Sequence, residues 1–279
     1  MSDPGAGWEF GPAWLFCPAD RPDRYTKALE RSDQVILDLE DAVAPDGKGA
    51  AREAVALLAA GGLLDIRRTI IRVNAVGSTD HDLDVELAAT AGIERVMLPK
   101  SESPEAVAGL PWRVVLLCES PAGIERAGEL AAIDNVVAVM WGGDDLVAGL
   151  GGTSSRRPDG LYHDVVRWAR SRCLMAAKAH GRVAVDGVYM NIPDLAGLEA
   201  EASEAVAVGF DAKVAIHPGQ VPVIRDAYRP SADEVARAGR LLEAAGSGGV
   251  FTFEGRMVDG PVLAQARRTL LRAGDRRNG

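Results

Sequence analysis

The stretch QVILDLEDAVAPDGKGAAREAVALLAA, residues 34–60, holds one complete structural unit. Gln34 to Leu39 is an apolar run of strand length, closed by Glu40 and Asp41. Gly49 to Ala60 is rich in Ala, Leu and Glu with helical periodicity. A near-continuous apolar strand is buried on both faces, as in a parallel sheet covered by helices. The unit recurs. Further strands are read at Ala13 to Cys17, Thr69 to Val73, Arg95 to Leu98, Arg113 to Leu117, Val136 to Trp141, Arg182 to Val188 and Lys213 to Ile216. Helices are read between them, for example at Leu83 to Ala91, Leu161 to His180 and Leu195 to Val208. Eight β-then-α units predict an α/β fold, a closed TIM (β/α)8 barrel over residues 1–230, with a doubly wound open sheet as the second choice.

Residues 231–279 read as a C-terminal helical extension. Ser231 and the acids behind it begin a helix ending near Ala245, and a Gly-rich break follows at Gly246 to Gly249. Val250 to Phe253, a turn at Glu254-Gly255 and a last helix from Pro261 complete it.

Composition narrows the function. With 279 residues, 47% of them hydrophobic, the chain buries a large core, which excludes disorder. The net charge of −9 argues against nucleic acid as a partner. No apolar stretch reaches the roughly 18 residues of a membrane helix, so no membrane role is expected. Cys17, Cys118 and Cys173 are odd in number and far apart, which suits buried thiols in a reducing cytoplasm. Gly-x-Ser-x-Gly, His-Glu-x-x-His, Walker and Cys-x-x-Cys motifs are absent, which removes support for nucleophilic hydrolysis, zinc and direct ATP use.

A barrel gathers its chemistry at the carboxyl ends of its strands. Those ends carry Asp38-Leu39-Glu40-Asp41, Arg72 with Asn74, Lys100, Glu119, Asp144-Asp145, Asp186 and His217. A polar strand end often only caps the next helix, but seven of eight such ends are charged or titratable. Glu119 and Asp145 are hard oxygen ligands of the kind that hold Mg2+. Arg72, on a strand, needs an anionic partner: a substrate, or Asp38 or Glu40 in an internal ion pair. His217 reads equally as a helix cap and Lys100 as a solvated loop charge. The five tryptophans have no groove-like spacing and read as core.

The ordered set Leu15-Phe16 with Pro18, Leu37-Asp38-Leu39-Glu40-Asp41, Ile71-Arg72-Val73-Asn74, Leu98-Pro99-Lys100, Glu119-Ser120-Pro121-Ala122-Gly123, Gly143-Asp144-Asp145-Leu146, Asp186-Gly187-Val188, Ile216-His217-Pro218-Gly219-Gln220 and Met257-Val258-Asp259-Gly260-Pro261 is highly specific. It resembles the citrate lyase β-subunit and its stand-alone CitE-like relatives, malyl-CoA and citramalyl-CoA lyases among them, within the HpcH/HpaI aldolase superfamily. The resemblance runs from Trp14 to Leu270 and departs at Pro12-Ala13, where the family commonly has Arg-Ser. It implies a TIM-barrel lyase that cleaves a 3-hydroxyacyl-CoA of malyl, citramalyl, citryl or HMG type into acetyl-CoA, or a homologue, and a keto acid. Glu119 and Asp145 would ligate Mg2+, and Arg72 would face the thioester and enolate oxygen. Arg72, Glu119 and Asp259 would be the catalytic residues, and Arg72, Glu119, Asp38, Glu40 and Lys100 would bind the substrate. Asp259 would serve as an acid/base group in a neighbouring subunit of a homo-oligomer, a trimer, with the last helix as a lid. The coenzyme A portion would recruit bases such as Arg24, Lys27, Lys100 or Arg156. The other readings are a malyl-CoA-type thioesterase, a CoA-independent class II pyruvate aldolase, and a barrel that only binds an acyl-CoA or a partner subunit.

Overall fold

A computed structural model describes residues 10–245 and 250–274. The Gly-rich break read at 246–249 and the final five residues lie outside the described residues. Eight parallel strands, β1 (Ala13–Pro18), β2 (Gln34–Asp38), β3 (Thr69–Arg72), β4 (Arg95–Leu98), β5 (Arg113–Cys118), β6 (Val136–Trp141), β7 (Val183–Asp186) and β8 (Ala212–Ala215), follow one another round a closed barrel. The pairing of β8 back onto β1 rules out the open sheet.

Helices α1 (Pro22–Arg31), α2 (Lys48–Ala60), α3 (Thr79–Thr90), α4 (Pro104–Ala108), α5 (Pro121–Glu125), α6 (Ala127–Ala131), α7 (Gly143–Gly149), α8 (Asp164–Ala179), α9 (Leu195–Val208) and α10 (Val221–Tyr228) connect the strands and surround them. Two of these depart from the sequence reading. The helix expected from Leu161 starts at Asp164, because Tyr162 bridges back to Arg156 in the preceding loop. α3 begins before Leu83 because Ser78 caps it, its Oγ accepting the His81 backbone N–H at 3.1 Å.

Side chains of a strand alternate between two environments. Trp14, Ile36, Ile70, Met97, Val115, Ala138, Val185 and Val214 fill the barrel interior. Their chain neighbours, such as Leu15, Val35, Ile71, Val96 and Leu116, pack against the helices. The tail forms α11 (Ala232–Ala244), a hairpin of β9 (Phe251–Phe253) and β10 (Arg256–Val258), and α12 (Gly260–Gly274). These pack on one another around Ala238, Leu241, Val258 and Ala266. Among the described residues no helix is long and apolar enough to cross a membrane.

The helix-facing layer also holds a buried charged cluster on β7 and β8. Asp186 and Lys213 are register partners across β7 and β8, and both are wholly buried. Lys213 Nζ donates to Asp186 Oδ2 (2.9 Å), the Gly187 carbonyl (2.8 Å) and Glu201 Oε1 on α9 (2.9 Å). Arg170 Nε on α8 donates to Asp186 Oδ1 at 2.8 Å, and Trp141 Nε1 donates to the same atom at 2.9 Å. Asp186 thus braces strand against helix, and its place at a strand end is not a place in a site. Burial pushes its carboxyl up, but Lys213 and Arg170 outweigh that and hold it at about 2. A carboxyl lowered from about 3.9 contributes about 2.6 kcal/mol that is complete above the unfolded value and lost as pH falls through the folded one. Urea unfolding of Asp186→Asn at pH 7 is expected to show a loss of about 3 kcal/mol or more, since Lys213 loses a buried counter-charge. Between pH 4 and pH 2 the wild type is expected to lose about 2 kcal/mol more than the variant does.

Candidate active site

The inner-face alternation continues beyond the last apolar layer: Ile36 leads to Asp38, Ile70 to Arg72 and Leu117 to Glu119. Three charged side chains therefore reach the carboxyl mouth of the barrel. They border a cleft of about 740 Å³ together with Asp145, Arg156 and an apolar wall that includes Phe16 and Met140.

Arg72 is clamped. Its Nε and Nη2 donate to the two Asp38 oxygens at 2.8 and 2.6 Å, and Nη1 lies 2.9 Å from Glu40 Oε2. Its guanidinium also sits 4.9 Å from the centre of the Phe16 ring. The internal ion pair and the place in the cleft are both real: the pair orients a cation that still borders open space. Asp38 accepts the backbone N–H of Glu40 (2.9 Å) and Ala42 (3.2 Å), so one carboxylate shapes the loop and holds the arginine. Lys48, buried at the start of α2, closes that loop by donating to the Leu39 and Glu40 carbonyls at 2.9 and 3.1 Å and to Asn74 Oδ1 at 2.5 Å.

Glu119 closes β5 and is only 3% exposed. Burial, then the charges of Asp145 and Glu40, push its carboxyl up to about 8. Gly142 makes room for it: a Cβ there would lie 2.8 Å from Glu119 Cβ. Lys100 adopts φ +48°, a left-handed conformation costly for a lysine. That turn brings its backbone N–H to Glu119 Oε1 at 3.1 Å, while its Nζ lies 2.5 Å from Glu40 Oε1 and 3.9 Å from Glu119 Oε1. Lys100 is therefore a pinned though exposed charge, and neither it nor Glu40 is among the residues that line the cleft.

Asp145 is exposed in the first turn of α7. With Glu119 it offers two hard oxygen donors. Among the described residues no group of three His, Cys, Asp or Glu side chains is placed to enclose a metal ion. A half-open pair of carboxylates carrying uncompensated charge suits Mg2+, which keeps much of its water and takes one or two carboxylates.

Other expected residues lie elsewhere. Asp259 precedes α12, where its Oδ1 accepts the Val262 N–H at 3.4 Å, and it is not among the residues bordering the cleft of its own chain. His217 accepts the Gly219 N–H on Nδ1 at 3.0 Å, the cap reading. Arg24 and Lys27 are exposed on α1. The sequence reading missed Ser155, Tyr162, Arg170 and Glu201. Only Lys213, a charge between Ala212 and Val214, carried a local signal of the buried network.

Fold and site together define a (β/α)8-barrel enzyme whose mouth opposes a clamped arginine to a pair of carboxylates. The chain belongs to the HpcH/HpaI aldolase/citrate lyase family, whose profile matches residues 13–218. It is 52% identical over 267 residues to the citrate lyase subunit beta-like protein of Mycobacterium tuberculosis strain H37Rv, covering 95% of this chain and 96% of that protein. It is 34% identical over 267 residues to a (3S)-malyl-CoA thioesterase of Cereibacter sphaeroides strain KD131, covering 90% and 92%. Its fold matches the crystal structure of M. tuberculosis CitE in complex with magnesium, acetoacetate and coenzyme A with a TM-score of 0.89 and 52% identity, over 95% of this chain and 98% of that one.

The close approach at Gly142 gives a direct check on this geometry. Gly142→Ala is expected to cost about 1–3 kcal/mol in urea unfolding as Glu119 is displaced, whereas alanine at Gly143, which meets only side-chain carbons at 3.1 Å or more, is expected to cost less.

Proposed function

We propose that the chain is a Mg2+-dependent carbon–carbon lyase acting on 3-hydroxyacyl-CoA thioesters of the malyl-CoA, citramalyl-CoA, citryl-CoA or HMG-CoA type. The carrying observation is that Glu119, Asp145 and Arg72 border one cleft. The CitE structure that holds magnesium, acetoacetate and coenzyme A supports the same ligands here.

Glu119 and Asp145 would hold the ion, and when bound it supplies fixed positive charge that polarises a carbonyl oxygen. Cleavage removes the proton of the substrate hydroxyl, breaks the bond between its carbon and the thioester α-carbon, and leaves the electron pair as a thioester enolate. A keto acid departs, and protonation of the enolate carbon gives acetyl-CoA or a homologue. Arg72 is suited to the enolate oxygen because Asp38 and Glu40 fix it before charge develops, so little reorganisation is needed. Asp259 would supply the proton transfer in a neighbouring subunit of a homotrimer, which its place outside its own chain's cleft supports. Arg24 and Lys27, exposed on α1, are the bases proposed for the anionic coenzyme A portion.

A second reading, hydrolysis of the same thioesters, is favoured by the thioesterase relative. Mass-spectrometric product analysis with malyl-CoA and citramalyl-CoA separates the two. Acetyl-CoA plus a keto acid, formed with Mg2+ and abolished by EDTA, is the expected outcome. Free CoA with the intact hydroxy acid would establish the thioesterase instead, and absence of turnover would leave the lyase reading without support.

Arg72→Ala is expected to lower turnover about 10²-fold or more at saturating substrate. Mixed oligomers of Arg72→Ala and Asp259→Ala subunits are expected to regain part of the activity that each variant lacks alone, and no recovery would place Asp259 outside the reaction.

A further inference from the structure

The loop between α7 and α8 carries a set of contacts that the reaction above does not use. Arg156 stacks on the Tyr162 ring, its guanidinium carbon 3.7 Å from the ring centre, and faces Tyr189 at 5.0 Å. Its Nη2 donates to Glu201 Oε2 at 2.7 Å and meets the Tyr162 hydroxyl at 2.5 Å, while Nη1 donates to the Gly160 carbonyl at 2.9 Å. Glu201 is in turn fixed by the buried Lys213 Nζ on its other oxygen. A single cation therefore ties this loop to the charged layer between β7, β8 and α9. Tyr162 also packs edge-on against Trp141, with ring centres 5.3 Å apart, at the end of β6.

The neighbouring residue carries the restraint towards the cleft. Ser155 is 7% exposed, and its Oγ donates to Asp144 Oδ1 at 2.6 Å. Asp144 and Asp145 share the first turn of α7, a turn that begins at Gly142 with no side-chain cap of its own. Ser155 is held from both sides: its carbonyl accepts the His163 N–H at 3.0 Å, and the Ser154 hydroxyl donates to the Arg156 carbonyl at 2.7 Å. From Lys213 to Glu201, Arg156, Ser155 and Asp144, the contacts end one residue from Asp145, which lines the same cleft as Glu119.

We infer that Arg156 and Ser155 are positioning residues for Asp145, setting the first turn of α7 so that Asp145 and Glu119 form one cation site. This rests on the metal reading proposed above. Outer-shell partners of this kind set metal affinity by about 10–100-fold. Arg156 borders the cleft itself, so a direct contact with an anionic substrate is the competing role.

Mn2+ titration of the metal-free protein, followed by the EPR signal of free Mn2+, tests the inference without turnover. Ser155→Ala and Arg156→Met are expected to bind Mn2+ about tenfold or more weakly than wild type, and Ser155→Thr, which keeps the hydroxyl, is expected to bind close to wild type. Thermal melting checks the fold, and Ser155→Ala, a loss of one oxygen, decides the matter if Arg156→Met does not fold. Folded variants that both bind Mn2+ within twofold of wild type would overturn the inference and leave the metal pair standing. An Arg156→Met enzyme with raised KM and unchanged Mn2+ affinity would assign Arg156 to substrate contact and overturn its positioning role. Wild-type protein that binds no Mn2+ would overturn the metal reading and this inference with it.

Discussion

A guanidinium inside a barrel is tolerable only if its charge is met, because an unpaired buried ion costs several kcal/mol. Arg72 is 8% exposed on the inner face of β3, and Asp38 on the adjacent strand meets it with both oxygens. The rest of the mouth follows from that pair. Asp38 also takes two backbone N–H groups of the loop that follows it, which sets Glu40 against the far side of the same guanidinium. Glu40 then receives Lys100, and the left-handed turn that allows this brings the Lys100 amide to Glu119. Asp38, Glu40, Glu119 and Asp145 are thus set against Arg72 and Lys100, with Asp41 and Asp144 adding further negative charge at the rim. Burial first, and then the charges of Asp145 and Glu40, raise the Glu119 carboxyl, and Lys100 and Arg72 only partly oppose them.

The barrel was legible because apolar strands and Ala-rich helices alternate so regularly that strand limits fall within two residues of those read from the sequence. Most of the mouth was legible for a related reason: acids and bases follow the last apolar residues of their strands. What could not be read was the face. Asp38 stands two residues after Ile36 and points inward, whereas Asp186 stands one residue after Val185 and points towards the helices. Both look alike as strand-closing aspartates. Only the register, which makes Asp186 the partner of Lys213, separates a site residue from a brace.

The loop holding Arg156 was illegible for a different reason. Its partners are Tyr162, six residues away, and Glu201, forty-five away, so no local pattern marks the contact. The resemblance invited a reading of Arg156 as a base for the anionic coenzyme A portion. In the fold most of that guanidinium's bonding capacity goes to Glu201, Tyr162 and Gly160, which favours a fixed strut over a mobile phosphate clamp.

The inventory of the cleft does not by itself choose between breaking a carbon bond and hydrolysing a thioester. A clamped arginine stabilises an enolate oxygen and a tetrahedral oxyanion alike, since each places negative charge on the former carbonyl oxygen. The two outcomes differ in what reaches the carbon. Hydrolysis needs a water at the thioester carbon. Cleavage needs a proton donor at the α-carbon and a mouth dry enough to spare the thioester. The cleft of one chain contains acceptors and cations but is open, and Asp259 stands apart from it beside α12. In the proposed oligomer the tail of a neighbour would supply both the covering surface and the acid. The choice of reaction would then depend on subunit assembly, with the barrel's own residues common to both.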